Sequence, residues 1–218
     1  MYKSKEVFSM SEQKKIPVTV YSEMTPNPAT MKFVANKMLI EDGATAEYLS
    51  LEETRGSSKL AEELFQFPFV KGIFIARNFI TITKNDRIKW DFVTNELRVF
   101  ITNYLSLNAE IIQKLPEPKV KEEIKEGKKV SEKIEPIINT DNDKAIVDLL
   151  EEYVRPAVEG DGGAIHFQSF DEETGKVTVV LKGACSGCPS STATLKGGIE
   201  TLLRNHIPQV REVVALEG

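Results

Sequence analysis

A charged stretch divides this chain in two. From Pro116 to Pro136 the sequence reads PEPKVKEEIKEGKKVSEKIEP, with six lysines, six glutamates, no aromatic residue and a proline at each end. Such a segment buries too little apolar surface to offset its ordering entropy. It reads as a solvated, flexible linker, and its roughly 20 residues span on the order of 25 Å as a coil. Its charges balance, so it is neither an acidic nor a basic binding tail. The expected organisation is a polar tail over 1–14, a domain over 15–114, a linker over 115–140 and a smaller domain over 141–218. Both domains are expected to be α+β.

In the first domain, IPVTVYSEMT and MKFVANKMLI read as strands joined by a turn at PNPA, because Pro26 and Pro28 cannot sit in a central strand. SSKLAEELFQF reads as a helix capped by Ser57 or Ser58, with Leu60, Ala61, Leu64 and Phe65 on one face. VKGIFIARNFITITK reads as a hairpin around Arg77–Asn78. The helical spacing of Trp90, Val93, Leu97, Phe100, Ile101, Tyr104 and Leu105 predicts a helix that covers the sheet.

In the second domain, Asp141–Asp143 can cap a helix with an apolar stripe of Ile146, Leu149, Leu150, Tyr153 and Ala157. Gly160, Gly162 and Gly163 end it, supplying positive φ where a strand begins. AIHFQSF and KVTVVLK read as an antiparallel hairpin across DEETG. A helix with Leu195, Ile199, Leu202 and Leu203 on one face and a closing strand, VREVVAL, complete the α-β-β-α-β order. Gly197 and Gly198 each cost about 1 kcal/mol in that helix relative to alanine. Close packing, within the domain or across a dimer, is the expected compensation.

The chemistry lies in KGACSGCPSS, residues 182–191, which holds Cys185 and Cys188, the only cysteines of the 218 residues. The pair sits between a strand end and a helix start, with Pro189 as a good first helical residue. A helix N-terminus favours thiolate at both sulfurs. Gly183 and Gly187 leave room for a bulky inorganic group and let backbone amides approach it. Four readings compete. The cysteines are there by chance. They form a redox pair, although redox CxxC motifs lie in βαβ units and the preceding strand here belongs to a hairpin. They bind zinc with His166 and His206, neither of which shows paired ligand spacing. Or they are half of a four-thiolate site that a second copy completes, enough for one iron–sulfur cluster.

VRPAVEGDGGAIHFQSF together with GACSGCPSSTATLKGGIETLLRNHIPQV closely resembles the NifU C-terminal domain of Nfu-type iron–sulfur carriers. The likeness covers about 143–214. It includes Arg155–Pro156, Asp161–Gly162–Gly163, the CxxC with Pro189, and Gly197–Gly198. Ala164 departs from the family, which often has an acidic residue there. TPNPATMKF and FPFVKGIFIARNFITITK resemble the Nfu N-terminal domain more loosely. The resemblance implies a non-enzymatic carrier. Cys185 and Cys188 would be ligands of a [4Fe–4S] cluster shared between two subunits, with [2Fe–2S] as the alternative, and Gly183, Gly187 and Pro189 would support the loop. It implies apo iron–sulfur proteins as clients, an upstream assembly machinery as supplier, and an N-terminal domain that recognises clients or regulates transfer. A thiol–disulfide oxidoreductase using the same cysteines is the rival.

The net charge of −5 comes with no concentrated basic segment, which argues against nucleic acid as a partner. No apolar run approaches the roughly 20 residues of a bilayer span. The first residues lack the apolar core of a secretory signal and carry Glu6 and Glu12, unlike a transit peptide. Met10 is an alternative start. A reducing cytosol is the expected compartment.

Overall fold

The computed structural model describes residues 17–107, 110–116, 138–186 and 189–217. The expected tail and the core of the expected linker lie outside the described residues. Two domains are present, each with its own sheet and core.

The first sheet has five strands: β1 (Val20–Met24), β2 (Thr30–Ala35), β3 (Thr45–Tyr48), β4 (Val70–Ala76) and β5 (Phe79–Lys84). Their spatial order is β1-β2-β5-β4-β3, with every pair antiparallel. β1 and β2 are shorter than the sequence suggests, because Asn36 and Leu39 turn the chain back onto β1 and the β4–β5 hairpin through Thr19 and Arg77. β3 and the short helix α1 (Leu51–Thr54) carry no strong periodic signal and were not expected. In α2 (Lys59–Leu64) the cap is Ser58, whose hydroxyl accepts from the Ala61 amide. Ser57 instead bonds Tyr48 at 2.8 Å. α3 (Trp90–Ser106) lays Val93, Leu97, Ile101 and Leu105 on one face of the sheet, against Phe33, Ile73, Ile75, Ile80 and Ile82.

The second domain opens with α4 (Asp141–Leu149). Its cap is Thr140 rather than Asp141–Asp143. Thr140 Oγ1 accepts from the Asp143 amide and Asp143 Oδ2 accepts from the Thr140 amide, a reciprocal capping box. A π-helical turn (Leu150–Val154) then leads into α5 (Arg155–Gly160). Pro156 has no amide to give to the preceding turn, and the wider turn absorbs that loss. The turn also shifts the buried stripe to Ile146, Leu150, Val154 and Val158, a uniform spacing of four. Tyr153, expected inside, is 54% exposed, and Ala157 is exposed as well.

β6 (Gly163–Asp171) and β7 (Lys176–Gly183) form the expected antiparallel hairpin. After α6 (Pro189–His206), β8 (Glu212–Glu217) pairs with β7 in parallel. β7-α6-β8 is therefore a βαβ unit as well, and the ground on which the sequence set aside a redox motif does not hold. Ile165, Phe167, Val177, Val179, Ile199, Leu203 and Val213 make the core. Among the described residues no helix is long and apolar enough to cross a membrane.

Candidate cysteine-loop site

The loop leaves the end of β7 at Gly183, whose φ of +65° suits glycine. The Ser186 amide and hydroxyl both bond the Gly183 carbonyl, at 3.2 and 3.0 Å, closing a tight turn around Cys185. Thr192 Oγ1, from the first turn of α6, donates to the Cys185 carbonyl at 3.2 Å. The Ala184 amide bonds the Gly162 carbonyl, tying the loop to the start of β6. Of the three glycines expected to supply positive φ, only Gly162 does, at +84°, because one residue makes the turn; Gly163 is glycine for want of space. A Cβ there would stand 2.6 Å from the Lys182 carbonyl and 2.7 Å from Cys185 Sγ. The Asp161–Gly162–Gly163 turn thus shapes the cysteine loop as well as ending a helix.

Cys185 is 7% exposed and packs in the second domain's core. Burial, aided by the Asp161 carboxylate, pushes its thiol up to about 12. The thiolate expected from a helix N-terminus is reversed here, because α6 begins at Pro189 and its dipole fades within the first turn. Gly187 and Cys188 lie outside the described residues, and Pro189 is described only as the first residue of α6.

The two histidines do not converge on Cys185. His166 lies on the face of β6 opposite Ile165 and Phe167, as alternation requires, with Nε2 3.3 Å from Thr45 Oγ1 of the first domain. Burial first, then Lys182 and Arg155, holds its pKa down at about 4. His206 Nδ1 bonds the Leu202 carbonyl, and its ring stacks on Tyr153. Among the described residues no group of three or more His, Cys, Asp or Glu side chains is placed to hold a metal ion. Gly197 and Gly198 are exposed, and a Cβ on either meets nothing within 4 Å. Packing within the domain does not offset their cost.

Residues that the sequence did not single out reach the loop from the first domain. The Gly183 amide, expected to face a cluster, donates to Glu47 Oε1 at 2.9 Å. Asn27 Nδ2 is within bonding distance of the carbonyls of Ala184 and Ser186, at 3.2 and 3.3 Å. The only sequence signal for Asn27 is its place between Pro26 and Pro28, which fix the turn that aims it.

Two family models match the chain: "Scaffold protein Nfu/NifU N terminal" over residues 20–108 and "NifU-like domain" over 146–214. "NifU-like protein, mitochondrial" of Saccharomyces cerevisiae is 32% identical over 219 aligned residues, covering 96% of this chain and 84% of the relative. The chain belongs to the Nfu/NifU family. "NifU-like protein 4, mitochondrial" of Arabidopsis thaliana is 32% identical over 89% of this chain, which spans 64% of that relative's length. "NFU1 iron-sulfur cluster scaffold homolog, mitochondrial" of Drosophila sechellia is 32% identical over 89% of this chain and 63% of its own. The NifU-like match includes both cysteines, and the two matches fall one on each domain.

Proposed function

We propose that this protein carries iron–sulfur clusters as cargo. Cys185 and Cys188 each give a thiolate, and two copies share one [4Fe–4S] cluster. The observation that carries this reading is the NifU-like match over 146–214, which encloses the chain's only cysteines. A cluster of this kind takes about four protein ligands, and one chain offers two thiols. Both histidines are engaged elsewhere, which favours a second copy as the source of the rest. A relative's name also speaks of an iron–sulfur cluster scaffold.

A cargo held only while two chains associate is releasable. Client thiolates displace those of the carrier one at a time, with no covalent chemistry on the protein. The protein thus acts as an assembly factor rather than an enzyme. An upstream assembly machinery supplies the cluster and apo iron–sulfur proteins receive it. The first domain serves recognition or regulation, and tethering raises the effective concentration of anything bound to it. A reducing compartment suits the free thiols. Our reading of the sequence favours the cytosol, whereas the relatives named above carry "mitochondrial" in their names.

Anaerobic reconstitution with iron and sulfide tests this. The expected product is brown and holds about two irons per chain, and Cys185→Ser or Cys188→Ser abolishes stable binding. About one iron per chain in a dimer would keep the carrier and change the cargo to [2Fe–2S]. A colourless chain that reduces disulfides would establish the rival oxidoreductase, which the βαβ setting of the loop favours.

A further inference from the structure

One face of the first sheet packs on α3, and the opposite face meets the second domain around the cysteine loop. Five polar contacts cross this boundary beside the loop. Asn27 holds the Ala184 and Ser186 carbonyls, one on either side of Cys185. Glu47 accepts from the Gly183 amide. Thr81 Oγ1 donates to the Gly162 carbonyl at 2.6 Å, and Lys32 Nζ donates to the Gly160 carbonyl at 3.2 Å. Between them Ala164 packs among Val34, Phe74, Ala76 and Phe79. Phe74 presses so closely that a Cβ on Gly183 would stand 2.7 Å from its ring. At the edge, Arg77 Nη1 meets Glu159 Oε2 at 3.0 Å.

Two features mark this as a built contact. First, every residue of β2 and all but Lys71 in β4 are buried. Strands apolar on both faces belong to a sheet covered on both sides. Second, Lys32 and Glu47 are only 8% and 9% exposed. A charge is buried at such a surface only where partners compensate it. Lys32 has Glu23, the Phe79 ring and the Gly160 carbonyl, and Glu47 has the Gly183 amide. Part of each set comes from the other domain.

We propose that the first sheet is a removable cover for the cysteine loop, held on by Asn27, Glu47, Thr81 and Ala164. The sulfur is buried among residues of its own domain, so the sheet acts on it through the backbone: with the Gly183 amide and the Ala184 and Ser186 carbonyls held, the loop does not swing Cys185 out of that core. Parting of the domains frees the loop backbone, and the freed loop can then turn Cys185 out of the core. That the loop then meets a second copy rests on the proposed carrier function. That the sheet guards the thiol does not.

The test is alkylation of Cys185 by N-ethylmaleimide in the metal-free full-length chain, with Cys188→Ser present so that the rate belongs to one sulfur. Ala164→Asp puts an unpaired carboxylate into the apolar contact and is expected to raise the rate at least about tenfold. Glu159→Arg turns an attraction into a repulsion and is expected to raise it about threefold, the scale of one exposed ion pair. Adding Arg77→Glu to Glu159→Arg restores the pair across the boundary, at the loss of the exposed Arg77–Asp42 pair within the first domain, and returns the rate toward that of the parent. This swap lies outside the loop and stands even if Ala164→Asp fails to fold. Equal rates in parent, Ala164→Asp and Glu159→Arg would overturn the proposal. So would a rise in Glu159→Arg that the swap leaves in place. No iron enters the measurement, so a chain that never takes up a cluster sinks the carrier reading and leaves this result intact.

Discussion

At Cys185 two influences oppose each other. A helix N-terminus lowers a thiol's pKa, and burial raises it. Burial wins because the sulfur is enclosed by core residues while the helix starts four positions later. The order Gly–Ala–Cys before a proline-led helix was legible in the sequence. The enclosure was not, because it depends on Gly163, twenty-two positions upstream. Gly163→Ala puts a methyl 2.6 Å from a carbonyl and 2.7 Å from Sγ, so backbone or sulfur must move. The expected cost is about 1–3 kcal/mol, the usual range for overpacking a filled site. Urea unfolding of the full chain measures it. Gly160→Ala, with nothing within 4 Å of the new methyl, is the control and should stay within about 0.5 kcal/mol of the parent. A Gly163→Ala chain as stable as its control would contradict the close approach.

Among elements, α4 and β6 offer the clearest checks. Thr140 begins α4 through a reciprocal box with Asp143, whose side chain also accepts from the Asn139 amide. Thr140→Ala should cost about 1 kcal/mol by chemical denaturation. On β6, folding keeps His166 neutral down to about pH 4, whereas an unfolded histidine takes its proton near 6.5. Between those values the unfolded chain binds more protons, so the stability this residue supports is complete above pH 6.5 and drains away as pH falls toward 4. The loss reaches up to about 3 kcal/mol. Thermal melting across that range should show a slope that flattens in His166→Gln. Sequence periodicity found most of these elements, since the apolar residues of α3 and the β6–β7 hairpin alternate as regular structure requires. It misplaced the inner stripe of α4–α5, because a π-helical turn before Pro156 changes the period from 3.6 to four. It missed β3, whose four residues are too few to show a period.

For the whole molecule, the division into two domains was legible because the stretch from Pro116 to Pro136 cannot form a core. How the domains meet was less so. In GIFIARNFITIT the residues on either side of Arg77–Asn78 include no charged side chain and only two threonines, which belongs to a strand pair covered on both faces. Which partner covers the second face depends on Asn27 and Glu47 meeting a loop more than a hundred residues away, and on Thr81 meeting Gly162, 81 positions away, and no local pattern encodes that. The parallel pairing of β7 and β8 is also long-range, and it restored the redox alternative that the hairpin had argued against. The proposed cover and the proposed carrier function make one account, in which a chain with half a site keeps that half covered until a second copy completes it. Native mass spectrometry of the anaerobically reconstituted full chain tests this most directly, because chain number and cargo are read from one mass. The account predicts two chains with about four irons and four sulfides. Iron and sulfide on a single chain, or a dimer that takes up none, would contradict it.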